Sequence, residues 1–150
     1  LEIEVPELND GTIMLYSVAR DAGSRTKIAV YTEYNNVDPI GAVIGEKGRR
    51  ISAVLKELGG EKIDVILYDK DPVKFIANAL SPAKDVKVTI KDETKKEALA
   101  LANDSNLSLA IGKKGQNVKL ASRLTHYKIE VKRESAQEEN KEEISSVEEE

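Results

Sequence analysis

Apolar and polar residues along the chain fall into short alternating and helical-period runs, and the same order of runs occurs twice. Residues 13–20 and 26–32 are β-rich runs separated by Asp21-Ala22-Gly23-Ser24-Arg25, which predicts a hairpin with a five-residue loop. Asp38-Pro39 then opens a short helix over 39–44, Asp capping free N–H groups and proline suiting the first turn. Ile51, Val54, Leu55 and Leu58 stand at i, i+3, i+4 and i+7, a single apolar stripe on a helix that Gly59-Gly60 ends. A strand over 62–68 follows. Asp71-Pro72 repeats the cap-plus-proline start and opens a helix over 72–80, with Val73, Phe75, Ile76, Ala79 and Leu80 on its apolar face.

The second half has the same rhythm. Alternation over 86–90 predicts a strand. Residues 96–102 are ambiguous, because Ala and Leu favour helix while Ala98, Ala100 and Ala102 against Leu99 and Leu101 give a period of two. They are assigned to a strand because the first half has its second strand at the equivalent place. A short helix over 106–111, capped by Asp104 or Ser105, a helix over 116–124 and a strand over 128–131 complete the unit. At the start, residues 1–10 alternate weakly as far as Pro6 and the Asn9-Asp10-Gly11 turn signal, and read as an entry strand or connector. The 72–80 helix leaves little room for a flexible linker, so the halves are expected to pack as one rigid unit.

The repeat is sharpest at the turn between the paired helices. Ile44-Gly45-Glu46-Lys47-Gly48-Arg49-Arg50-Ile51 matches Ile111-Gly112-Lys113-Lys114-Gly115-Gln116-Asn117-Val118 position for position. Two glycines three apart allow a tight turn whose backbone a bulky ligand can approach. One Gly-x-x-Gly with a lysine inside often only joins two helices; two with matching flanks are a specific signal.

Composition narrows the chemistry. Of 150 residues, 40% are hydrophobic and 33% charged, enough for packed cores beneath an extensive solvated surface. There is no cysteine, which excludes disulfides and thiolate metal sites. His126 is the only histidine, and no cluster of His and carboxylates has ligand spacing, so neither a metal site, a cofactor nor catalysis is expected. A Walker phosphate loop is excluded too, since Gly112-Lys113 has Leu107 where the first glycine belongs and Lys114 where Ser or Thr belongs. No run approaches the roughly 18 apolar residues of a membrane span. The net charge of −4 is unevenly spread: residues 134–150 hold eight Glu and one Lys, leaving 22 basic and 19 acidic residues, or +3, in 1–133. A mildly basic body is compatible with a nucleic-acid partner, and the acidic 134–150 segment is expected to be a disordered tail. Arg20, Arg25 and Lys27 read as solvated strand ends, or alternatively as a border of a nucleic-acid path.

Strand, strand, helix, Gly-x-x-Gly, helix, strand, with a helix leading the second half, resembles the bacterial (type II) KH domain. Longer strings strengthen the resemblance: Ala19-Arg20-Asp21-Ala22-Gly23-Ser24-Arg25-Thr26-Lys27, Val37-Asp38-Pro39-Ile40-Gly41-Ala42, Gly60-Glu61-Lys62-Ile63-Asp64, Ala77-Asn78-Ala79-Leu80-Ser81-Pro82 and Leu109-Ala110-Ile111-Gly112. Together, over roughly residues 6–133, they are similar to the tandem KH region of bacterial transcription termination/antitermination factors of the NusA family. The resemblance implies an α+β fold of two KH domains, each a three-stranded sheet with helices packed on one face. The first would span 1–70, with 1–10 as entry segment, and the second 71–133. The family's polymerase-binding and OB-type domains have no counterpart in these residues, so Leu1 to Glu7 is expected to be the end of a preceding segment.

The function so implied is single-stranded RNA binding by a monomeric, cytoplasmic, non-catalytic module of a factor that associates with RNA polymerase. In a KH domain the Gly-x-x-Gly loop grips the backbone of about four nucleotides while bases lie on an aliphatic groove. The resemblance therefore places Gly45, Glu46, Lys47, Gly48, Arg49 and Arg50, and Gly112, Lys113, Lys114, Gly115, Gln116 and Asn117, at the RNA. Lysines and arginines supply positive charge, and Gln116 and Asn117 could serve phosphates or base edges. Glu46 is a departure that should weaken the first loop relative to the second. Ile44, Ile51, Ile111 and Val118 belong chiefly to the core, with an edge toward the groove. The competing reading is a KH-fold protein-interaction module with little RNA binding of its own.

Overall fold

A computed structural model describes residues 3–134 of the chain. The acidic segment expected to be disordered lies outside the described residues apart from Glu134. Chain order is α1 (Pro6–Asn9), β1 (Met14–Asp21), β2 (Arg25–Tyr31), α2 (Pro39–Ile44), α3 (Arg49–Leu58), β3 (Lys62–Leu67), α4 (Pro72–Ala79), β4 (Lys87–Asp92), β5 (Glu97–Ala102), α5 (Asp104–Ile111), α6 (Gln116–Thr125) and β6 (Lys128–Arg133). Single turns at Glu46–Gly48 and Lys113–Gly115 join α2 to α3 and α5 to α6.

Two three-stranded sheets result, ordered β1-β2-β3 and β4-β5-β6. In each, the first pair is an antiparallel hairpin and the third strand lies parallel to the second. The α2–α3 and α5–α6 pairs supply the crossovers that a parallel neighbour requires. Even the irregularities repeat. A bulge leaves Tyr16 unpaired between Leu15 and Ser17, and another leaves Lys91 unpaired between Ile90 and Asp92.

Asp38 accepts the Gly41 N–H and Asp71 accepts the Val73 N–H, so both proline-led helices begin as expected. Gly59 closes α3 in the left-handed conformation. Three expectations need correction. Of the entry strand or connector expected for residues 1–10, the strand fails at residues 6–9, which form a helical turn with Pro6 at its first position, where a missing N–H costs nothing. The hairpin loop is Ala22-Gly23-Ser24, since Asp21 and Arg25 pair across the strands. Asn103, not Asp104 or Ser105, caps α5 by accepting the Asn106 N–H.

The core explains how the halves meet. Ile28 and Val30 of β2 pack with Val5, Ile13 and Val43 under the helices of the first unit. The opposite face of that sheet, with Ala19, Ala29 and Ile66, meets Phe75, Ile76, Ala79 and Leu80 of α4 and its C-terminal end, and Leu120, Ala121 and Leu124 of α6. Ala98, Ala100 and Ile129 of the second sheet close the same cluster. The first sheet thus carries helices on both faces, its own on one and those of the second unit on the other. This is why the 97–102 segment is a strand despite its Ala and Leu content: small residues on a central strand let α4 and α6 sit close, and packing overrides propensity.

Candidate nucleic-acid interface

The two Gly-x-x-Gly loops have one backbone conformation. Gly45 and Gly112 have φ, ψ of 80, 171 and 78, 168 degrees. Lys47 and Lys114 follow at 54, 28 and 56, 26, and Gly48 and Gly115 at 73, 16 and 75, 12. In each loop the second glycine's N–H donates to the first glycine's carbonyl at 3.1 Å.

The first glycine is required by space. A Cβ on Gly45 would lie 2.7 Å from Arg50 Cγ and 2.9 Å from its backbone nitrogen; one on Gly112 would lie 2.7 Å from the Asn117 nitrogen. The second glycine is required by its φ, which L-residues rarely adopt. More telling is the residue between them. A lysine is held in the left-handed region in both copies, at a cost of about 1–2 kcal/mol, where glycine would be at ease. The same outlier therefore stands at the same position of both loops.

Each loop opens a helix. With glycine at the capping position, neither α3 nor α6 has a side-chain cap. The first amide of each helix donates back into its loop, Arg49 N–H to Glu46 O and Gln116 N–H to Lys113 O, and the positive end of the helix dipole faces that loop. Glu46, Lys47, Arg49, Lys113 and Lys114 are exposed around these ends.

Three of the expected contact residues have partners within the protein. Asn117 is 1% exposed, and its Nδ2 donates to Leu80 O at 2.9 Å and Ala110 O at 3.0 Å. It is an internal brace between α4, α5 and α6, not a group facing RNA, and that expectation is withdrawn. Arg50, at the equivalent repeat position, donates to Ala42 O at 2.9 Å and pairs with Glu7 at 2.6 Å, and this pairing holds the Glu7 carboxyl below its usual range. Gln116 reaches across the units, its Nε2 donating to Asp21 Oδ2 at 2.8 Å and Ser24 Oγ at 2.6 Å. The second loop is therefore braced on the hairpin of the first unit. Ile44, Ile51, Ile111 and Val118 are half-buried.

Neither reading of the hairpin cations survives intact. Lys27 is fully buried; its Nζ donates to Asp64 Oδ2 at 2.9 Å and to Ser81 O at 2.6 Å, and burial lowers its pKa. Arg25 pairs with Asp64 at 3.4 Å. Arg20 holds Glu61 through two nitrogens. Glu61 is 2% exposed and also accepts from Thr26 and from the Gly23 N–H. The Arg20 guanidinium, then Thr26 and Gly23, hold its pKa down to about 2. An open cleft of about 580 Å³ lies beside these contacts, with Ile40, Val65 and Leu67 on one side and Asn78, Lys84 and Asp85 on the other.

Comparison with known proteins agrees with the two-unit fold. The family described as NusA-like first KH domain matches residues 1–68, and that described as NusA-like second KH domain matches residues 72–139. The transcription termination/antitermination protein NusA of Halalkalibacterium halodurans is 53% identical over 134 residues, covering 89% of this chain and 35% of that protein. The proteins of the same name from Bacillus subtilis and Thermus thermophilus are each 52% identical, covering 89% and 86% of this chain and 36% and 33% of theirs. The chain thus spans about a third of the length of the curated relatives it matches. Among solved structures, the protein APE1850 has the same fold, with a TM-score of 0.59 at 21% identity, covering 87% of this chain and 96% of that one.

Proposed function

The chain belongs to the NusA family, of which it carries both KH domains, and on that premise we propose that it is a single-stranded RNA-binding module of a transcription elongation, termination and antitermination factor. The observation that carries the reading is the strained lysine set between two glycines at an uncapped helix start, built to the same angles in both units. Phosphates approach the positive helix ends over the glycines, and Lys47, Lys113, Lys114 and Arg49 supply the countercharge. Bases then lie along the aliphatic side of the open cleft between α2, β3 and the 81–86 segment.

Residues 1–70 and 71–133 act as the first and second RNA-binding units, and Gly45, Glu46, Lys47, Gly48, Arg49, Gly112, Lys113, Lys114, Gly115 and Gln116 form the RNA surface. Arg50 acts on it indirectly, by fixing the first loop through Ala42 and Glu7. No cofactor or catalytic step is invoked. The module works as a cytoplasmic monomer and meets RNA polymerase mainly through parts of such factors outside these residues.

The test is RNA binding by the full chain across a salt series. Backbone clamping by Lys and Arg gives a log affinity that falls linearly with log salt, by about 0.7 per neutralised phosphate on a single strand. Absence of binding at low salt would favour the interaction-module reading instead.

A further inference from the structure

Aromatic residues are scarce in this chain, yet five of the six lie together. Tyr16 stacks on Tyr68 with centroids 3.9 Å apart, Tyr31 and Phe75 approach the pair edge-on or tilted, and Tyr127 lines the same cleft. The cleft measures about 280 Å³, with Lys70, Lys96, Asp69 and His126 around it. It opens between the first sheet and the end of α6, at the junction of the two units.

Three features separate this cluster from ordinary core. Tyr16, its most exposed ring, is 44% accessible and is the unpaired bulge residue of β1, a device that re-aims a side chain out of the strand pattern. Lys96 is held at φ +57, and its ammonium lies 5.3 Å from the centroid of the Tyr127 ring. The same ammonium acts on the Tyr16 phenol, opposing the rise that burial imposes. Rings and cations therefore face one space.

We propose that this cleft is a third RNA contact, a stacking site that takes one unpaired base against the Tyr16–Tyr68 pair while Lys96 and Lys70 meet the adjoining phosphates. The inference rests on the RNA-binding reading above. Size and charge select the ligand: the space is below that of a drug-sized pocket, and two ammonium groups favour an anionic aromatic group. A proline-rich peptide, by contrast, docks along an extended aromatic groove. Asp69 already accepts the Asp71 N–H at 2.9 Å, which turns one of its oxygens toward its own backbone. The second loop lies at the N-terminal end of α6 and the cleft at its C-terminal end, ten residues or about 15 Å away. An RNA must outrun both loops to reach it.

Length dependence is accordingly the test. One RNA of about eight nucleotides matches four per loop, and a second is twice as long. Tyr16→Ala is expected to weaken the long RNA about tenfold and leave the short one unchanged. Lys96→Glu, at an exposed position, should do the same, and Tyr16→Phe should restore binding. The chain has no Trp and five Tyr, four of them in the cluster, so tyrosine emission should be quenched by the long RNA and not by the short. Equal binding of the long RNA by parent and folded variants would overturn the proposal. So would a loss shared equally by both lengths, or quenching by a proline-rich peptide and not by RNA. If the double variant Lys113→Asp, Lys114→Asp binds both RNAs like the parent while Tyr16→Ala loses the long one, the loop reading fails and the cleft stands.

Discussion

Replacing Lys114 by glycine should make the protein more stable and a poorer RNA binder at once. Lys114 sits at φ 56, ψ 26. A side chain there costs about 1–2 kcal/mol relative to glycine. Glycine returns part of that gain by loosening the unfolded chain, by about 0.4–1 kcal/mol. The net gain is about 0.5–1 kcal/mol, a rise in Tm of roughly 2–4 °C for a chain of this size. At the RNA the variant loses one cation, so the salt slope should become shallower by about 0.7. Lys114→Ala separates the two effects: it keeps the strained backbone and removes the charge, so it should lose the same affinity without the gain in stability. Thermal melts and RNA titrations over a salt series on the three proteins decide the matter. A glycine variant that melts lower would refute the strain argument, and one that keeps the parental salt slope would refute the role given to the Lys114 side chain.

Four further outcomes follow from the same geometry. Changing Lys113 and Lys114 to Asp should preserve the circular dichroism and lower RNA affinity at least about tenfold, or 1.4 kcal/mol. Changing Glu46 and Lys47 to Asp should cost less, because an acid is already present and Arg49 remains; the reverse order would move the main grip to the first loop. Phe75→Ala should cost about 3–5 kcal/mol and shift one cooperative calorimetric transition, since Phe75 belongs to a cluster both units share; two separated transitions would contradict that sharing. Glu61 has a folded pKa near 2 against an ordinary 4.5, so its contribution is complete above about 4.5 and is lost as pH falls toward 2. Glu61→Gln should flatten the fall of stability over that window, and parallel profiles would dismiss the network.

Much of this architecture was legible because the chain states it twice. The strand at 97–102 was found only through the repeat, against its own propensity, and the loops were found because their flanks matched. What stayed hidden depended on partners distant in sequence. Lys27 reads as a solvated cation, but Asp64 and Ser81 O lie far along the chain, and only folding brings them to it. Asn117 and Arg50 follow the second glycine by the same two residues, and polar side chains after a binding loop invite a ligand role. The clue to the contrary lay in position: a side chain two residues into the helix folds back over the first glycine, as the short distances from a Cβ there show. Pro6 interrupts the weak alternation of residues 1–10, but proline also starts helices, as it does here.

The helix α4 belongs to the second repeat by sequence and to both units by contact. Cut after Tyr68, the first repeat would present Ala19, Ala29 and Ile66 to water, and Lys27 would lose its acceptor on Ser81. Two copies that share a wall are no longer interchangeable parts. A duplication can create such a pair, but shuffling cannot afterwards move either member alone, and a substitution on the common wall is judged by both neighbours. The ancestral unit, if it once stood by itself, must have covered that face with something else.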